Sequence, residues 1–326
     1  MNKFFLSLAL CLISSNVAMA APNWDTLAPA DFIHSMNKVT NKESKNLRVE
    51  MTNVGYVFKK ENDTTPSYYA GSSVIGSFYN TSNAQSLNVS STTVTFEAGA
   101  KKPKTMYSMA VISNGTDIYF KPDGLKNKQM RNKWIKANAG HYQDIGAGLG
   151  VSQLFDVFDS STQAEMESKA NKFVAAFRKT NFWKKYDQEI DDGREVKNAT
   201  RYNFELNQDA IYPFFKELTK TLTLEEAGYS LYADKNILKT LDDDSVKAFM
   251  ADKSYMSVWI DNKTKKPVYI VEAFWTPLVE KKKTVYILQL SETKLSGYDN
   301  QPTLKLPVDS VDAALASKQL KVKLGS

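Results

Sequence analysis

Cysteine occurs once in the 326 residues, at Cys11, and histidine twice, at His34 and His141. One cysteine cannot form an internal disulfide framework, and no C-x-x-C or H-x-x-x-H spacing is present to build a zinc site. His34 falls beside the apolar side of an expected helix and reads as a boundary residue; His141 falls in a loop. There is no G-x-S-x-G elbow. The nearest segment, Ala70-Gly71-Ser72-Ser73, reads as a strand-edge loop, so a serine hydrolase has no local signature. The run Gly146-Ala147-Gly148-Leu149-Gly150-Val151 lacks both dinucleotide-binding spacing and a P-loop lysine. It reads as a flexible entry to a helix. Asp242-Asp243-Asp244 is not followed by a calcium loop and reads as a helix N-terminus, where carboxylates are favoured. The chain is therefore expected to be non-enzymatic, without metal or cofactor.

Charge of either sign is also modest. The 42 basic and 36 acidic side chains leave a net charge of +6, interspersed along the chain. That is no nucleic-acid footprint. Past residue 20 no apolar run approaches the ~20 residues that a membrane helix requires.

The first 20 residues differ from the rest. Lys3 precedes an apolar stretch from Phe4 to Ile13, and Ala18-Met19-Ala20 has the small-x-small pattern of a signal-peptidase site. Residues 1–20 thus read as a secretory signal peptide. Lipidation at Cys11 needs a small residue before it, and Leu10 stands there. Cleavage after Ala20 leaves a chain without cysteine, exported to the periplasm or the medium and expected to be soluble. With 42% hydrophobic residues and 12% aromatic, it can bury a core without disulfides.

From Pro29 to Asn41 the apolar residues Phe32, Ile33, Met36 and Val39 recur at helical spacing. Beyond Asn46 the period shortens to that of strands: Leu47–Phe58, Tyr68–Phe78, Ser86–Phe96, Thr105–Ile112, Asp117–Lys121 and Lys133–Lys136. Turn residues separate them, including the hairpin signal Asn114-Gly115. Helices are expected over Val151–Phe158, Gln163–Thr180, Gln208 to about Leu222, and pieces of Ile237–Met250. Strands are expected over Trp183–Asp191, Ala199–Leu206, Tyr255–Ile260, Val268–Trp275 and Thr284–Leu290. This order predicts an α+β fold, with a large antiparallel sheet and several helices in a single domain over 21–326.

Two of these strands do not alternate as a sheet with one wet face should. Val268-Tyr269-Ile270-Val271-Glu272-Ala273-Phe274-Trp275 is apolar on nearly both faces, and so is Tyr255–Ile260. Either helices cover one side and loops the other, or one face lines an apolar cavity.

Four segments in order resemble the bacterial lipoprotein-carrier (LolA/LppX-like) superfamily: Gly115-Thr116-Asp117-Ile118-Tyr119-Phe120, Lys133-Trp134-Ile135, the hairpin Asp191–Leu206, and Ser257-Val258-Trp259-Ile260-Asp261 through Pro267-Val268-Tyr269. Tyr269 stands where many relatives carry arginine, and Tyr298–Ser326 is a C-terminal extension without counterpart. The resemblance implies a curved antiparallel sheet, an unclosed half-barrel wrapped over helices around a lipid-accommodating cavity.

The expected function is that of a soluble carrier binding a lipid or other hydrophobic small molecule. Apolar burial would supply about 0.8 kcal/mol per enclosed methylene. Cavity-lining candidates are Phe120, Trp134, Leu154, Phe155, Phe158, Phe204, Trp259, Ile270 and Phe274. The basic run Lys281-Lys282-Lys283 suits a transient contact with a membrane surface or envelope protein. The alternative is an envelope interaction or sensor protein with the same fold and a filled core. N-terminal sequencing of the protein recovered from a bacterial export host should begin at Ala21; a chain retaining Met1 overturns the export reading.

Overall fold

The computed structural model describes residues 22–41, 46–81, 84–97, 105–114, 117–123, 133–137, 160–186, 193–220, 237–280, 283–298 and 304–320. The expected helix Val151–Phe158 lies outside them.

The strands are β1 (Asn46–Phe58), β2 (Tyr68–Thr81), β3 (Ala84–Glu97), β4 (Thr105–Ser113), β5 (Ile118–Asp123), β6 (Trp134–Ala137), β7 (Trp183–Tyr186), β8 (Ala199–Leu206), β9 (Tyr255–Asp261), β10 (Pro267–Glu280), β11 (Lys283–Ser296) and β12 (Ser310–Asp312). They form one 12-stranded sheet in the order β12-β6-β5-β4-β3-β2-β1-β11-β10-β9-β8-β7. All pairings are antiparallel except that of β12 with β6. The two edges, β12 and β7, do not pair with each other, so the curved sheet is an unclosed half-barrel. The C-terminal extension supplies the outermost strand of one edge.

The described helices are α1 (Pro29–Asn41), α2 (Ser160–Thr180), α3 (Ile211–Leu218), α4 (Ile237–Leu241), α5 (Asp244–Lys253) and α6 (Ala313–Leu320). Proline opens α1, where its missing N–H is no loss. The α2 helix stops at Asn181, which takes a left-handed φ of 54° and donates its N–H to the Phe177 carbonyl. The helical stretch expected over Ile237–Met250 is two helices. Asp243 breaks it by capping α5, accepting from the N–H groups of Ser245 and Val246. The hydroxyl of Ser245, which also donates to Asp243, and then those two N–H bonds hold its carboxyl below the ordinary range.

The α1 to α5 helices pack on one face of the β7–β11 half of the sheet. Phe32 and Met36 of α1, Phe177 of α2, and Ile211, Phe214, Phe215 and Leu218 of α3 meet Phe204 of β8, Met256 and Val258 of β9, and Ile270 and Phe274 of β10. Phe214 stacks on Phe182 with ring centroids 4.1 Å apart. Its i, i+3, i+4, i+7 stripe puts the four α3 core residues at 0% exposure.

The chain just past the expected cleavage site is pinned to this core. Trp24 packs on Phe32 at 4.8 Å and donates its indole N–H to the Lys265 carbonyl at 2.9 Å. The Tyr202 hydroxyl donates to Asp25 Oδ1 at 2.7 Å. Burial, reinforced by that carboxylate, raises the Tyr202 pKa well above its ordinary value. The β9–β10 hairpin that receives Trp24 is closed by Asp261, whose Oδ1 accepts from the N–H groups of Lys263 and Thr264.

Phe214→Ala empties a site closed on all sides. Urea unfolding should show a loss of about 3–5 kcal/mol, with the midpoint moving and the slope unchanged.

Candidate functional site

Side chains alternate between the two faces of a strand, and the core membership of Met51, Ile270, Phe274 and Leu295 identifies the helix-facing one. In β1, Leu47, Val49, Met51 and Asn53 are buried while Arg48 and Thr52 are exposed. The register continues unbroken from β1 across β11 to β10. It brings Asn53, Ser291 and Glu272 side by side on the helix-facing surface, with Met256 of β9 next in the row.

Among the described residues, the helix-packed core cluster does not take in this stretch of the face. Gly55 and Val57 of β1, Gln289, Ser291 and Thr293 of β11, and Glu272 of β10 all keep accessible surface. Beside them, Phe274, Ile270 and Met256 are buried against α1 to α5. The helix-facing surface of the central strands is thus polar in its middle and flanked on the β9 side by the aromatic core.

Two groups on this surface lack the partners that buried polar atoms normally have. Asn53 is 3% exposed, and its Nδ2 has no hydrogen-bond partner. Its neighbour Glu272 lies between Ile270 and Phe274 on the strand. Burial alone pushes the Glu272 carboxyl up to about 7, from an ordinary 4.5. The residue keeps some accessible surface, but the protein around the carboxyl desolvates it and disfavours its charged form.

The nine cavity-lining candidates do not gather in one place. Phe204, Ile270 and Phe274 join the core at the flank of the polar stretch. Phe120 of β5 is buried, with Val111 and Ile135 as its register partners. Register through β4, β3 and β2 puts it on the same face, but near the opposite edge of the sheet. Leu154, Phe155 and Phe158 lie outside the described residues.

Trp134 and Trp259 are corrections. Trp134 alternates with Ile135, and Trp259 alternates with the core residues Val258 and Ile260, so both indoles project from the other face. There Trp259 packs on Tyr269 at 5.0 Å, and Arg201 lies 4.8 Å over its ring. The Lys121 ammonium sits 5.6 Å over Trp134. On that outer face Tyr269 also donates to Glu292, which pairs with Arg194, and Val196 of the 193–198 segment packs against the cluster. The doubly apolar β10 is therefore covered by helices on one side and by a loop and an aromatic–arginine layer on the other.

Composition did not single out Asn53, Ser291 or Glu272. The available signal was Glu272 itself, the one charge in the run Val268–Trp275. A separate surface pocket of about 400 Å3 is lined by residues including Lys179, Asn207, Lys216, Glu217 and Lys220. Its carboxylate, Glu217, already pairs with Lys179 and Lys220, which lowers its pKa. Among the described residues no cluster of histidine, cysteine and carboxylate could hold a metal, and no helix is long and apolar enough to cross a membrane.

No family model matches the chain, and no curated protein matches it. Among solved structures it is similar to one titled for lipid–protein interactions in lipovitellin, at 10% identity and a TM-score of 0.27, covering 83% of this chain and 27% of that one. It is also similar to a beta-barrel-like protein of a domain of unknown function from Brucella abortus, at 8% identity and a TM-score of 0.15, covering 78% of this chain and 99% of that one. Neither likeness assigns a function to this chain.

The Glu272 carboxyl carries a pH signature. The folded chain holds this proton up to about pH 7, whereas the unfolded chain releases it near its ordinary value of 4.5. The folded state thus binds more protons across that window, and stability falls as pH rises through it, by at most about 3 kcal/mol. Glu272→Gln should flatten this slope and raise the Tm at pH 8. An unchanged slope between pH 4.5 and 7 in the variant overturns the assignment.

Proposed function

We propose that this protein is an exported, non-enzymatic binding protein that holds a hydrophobic ligand in the trough of its half-barrel. The observation that carries the reading is the stretch of the helix-facing surface that the core cluster does not take in, where Gly55, Gln289, Ser291, Thr293 and Glu272 keep accessible surface beside a fully packed aromatic core. A sheet face turned toward the helices is ordinarily dry and close-packed. A concave face left open in its centre and apolar at its flank has the make-up of a small-ligand site.

The resemblance of four segments to the lipoprotein-carrier superfamily supports the same reading. The segment from Ser257 to Tyr269 maps onto the paired strands β9–β10, and Asp191–Leu206 supplies β8. The pinned segment at Trp24 and Asp25 suits a chain that begins just after Ala20. The flanking residues Phe204, Ile270 and Phe274 would meet an acyl chain, while a ligand in transit would be shielded from water by the sheet. In the alternative of a filled core, the protein works by its surface and takes up nothing.

A delipidated sample titrated with a dansyl-labelled fatty acid should show saturable, blue-shifted fluorescence. Ser291→Trp, which fills the trough, should weaken that binding at least about tenfold, or ~1.4 kcal/mol, while the Tm stays within a few degrees. No saturable uptake by the native protein, with no lipid found by native mass spectrometry of the untreated sample, supports the filled-core alternative.

A further inference from the structure

The row Asn53–Ser291–Glu272 is a costly arrangement for a protein interior. An unpaired amide N–H and an unpaired carboxyl each lose hydration on folding without a bond in return. Here the partnerless Asn53 Nδ2 and the Glu272 carboxyl, which burial alone perturbs, occur in one register row on either side of the same serine. Strands lie about 4.8 Å apart, so the Asn53 and Glu272 backbones are separated by roughly 10 Å, with Ser291 midway. For side chains of their length, that is a span one polar atom above Ser291 can bridge.

The chemistry of that atom follows from what the two groups lack. Asn53 Nδ2 is a donor and needs an acceptor. The Glu272 carboxylate is an acceptor and needs a donor. A carbonyl or ester oxygen accepts but cannot donate. An ammonium donates but cannot accept from Asn53. A ligand carboxylate only accepts, and brings a second negative charge beside Glu272. A hydroxyl does both at one oxygen, and because it also accepts, it suits Glu272 in either protonation state. The Ser291 side chain can complete the set from below.

Resting on the carrier reading above, we infer that the Asn53–Ser291–Glu272 row is a recognition site for the hydroxyl group of an amphiphile, of the long-chain alcohol or monoacylglycerol type. The aliphatic chain then runs from this anchor along the apolar flank formed by Met256, Ile270 and Phe274. The polar row sets which amphiphile is held, and the flank supplies the bulk of the affinity. This division of labour, a few placed polar groups in an apolar site, is common in small-molecule pockets.

The test is competition against the dansyl-labelled fatty acid with four twelve-carbon probes: 1-dodecanol, dodecyl methyl ether, dodecylamine and lauric acid. In the native protein the alcohol should displace the label at a concentration at least about tenfold below that of the ether, a difference of ~1.4 kcal/mol. Asn53→Leu and Glu272→Leu should each bring that ratio close to one, with the alcohol losing more affinity than the ether. Both replacements remove an unpaired polar group, so the Tm should hold or rise. Glu272→Gln, whose amide oxygen still accepts, should keep most of the preference and serves where a leucine variant fails to fold. A flat alcohol-to-ether ratio in the native protein overturns the inference and leaves the carrier reading standing. So does a ratio that survives in the variants, or tightest competition by the amine or the acid. Absence of any uptake of the label overturns both.

Discussion

The pairing of β1 with β11 is the contact on which the rest of the structure depends. It runs from Arg48 opposite Ser296 to Phe58 opposite Tyr286, and it joins the first strand of the chain to the last long one. Without it the sheet would fall into two halves, β2 to β6 with the first strand and β7 to β11 with the helices. The ladder closes a loop of most of the chain, an entropic cost that grows only slowly with length but must be met before any of its hydrogen bonds form. It also fixes the trough. Asn53 faces Ser291 and Ser291 faces Glu272 only in this register, and a slip of one residue would turn the whole row to the outer face.

The helices explain where the aromatic core is concentrated. Packed over β7 to β11, they concentrate their aromatic contacts on Phe182, Phe204, Phe214 and Phe274. The N-terminal pin adds to the same side, with Trp24 and Asp25 binding to Lys265 and Tyr202. The same core cluster reaches Leu295 of β11 and Leu47, Val49 and Met51 of β1. Within it, one row of the helix-facing surface is polar: Glu272 stands between Ile270 and Phe274 on β10, opposite Ser291, which faces Asn53.

Element types were readable where one periodicity dominates. The α1 stripe of Phe32, Ile33, Met36 and Val39 is helical, and β1 alternates from Leu47 to Asn53. Both appear as expected. Where a strand is apolar on both sides, composition cannot say which residue faces the helices. That is why composition counts Trp134 and Trp259 among the cavity-lining residues. Their neighbours Ile135, Val258 and Ile260 are equally apolar, and only the register decides between them. The β10 and β11 strands run longer than their apolar segments, to Glu280 and Ser296, because a ladder continues through any residue whose partner is in place. The edge strand Ser310–Asp312 carries no apolar pattern at all. Pairing with Trp134–Lys136, rather than propensity, makes it a strand.

The polar row was hidden for a related reason. Asn53, Ser291 and Glu272 are unremarked singly, and they stand 238 residues apart at the extremes. Only a long-range ladder makes them neighbours. Placing a carboxyl at the position of Glu272 costs stability that a leucine there would not, since nothing in its row neutralises it. The surrounding core is large enough to carry that cost: Phe32, Phe182, Phe204, Phe214 and Phe215 are fully buried within it. A sheet this well anchored at one flank can hold unpaired polar groups open at its centre. On the proposed reading, a bound ligand completes the hydrogen bond that Asn53 Nδ2 lacks.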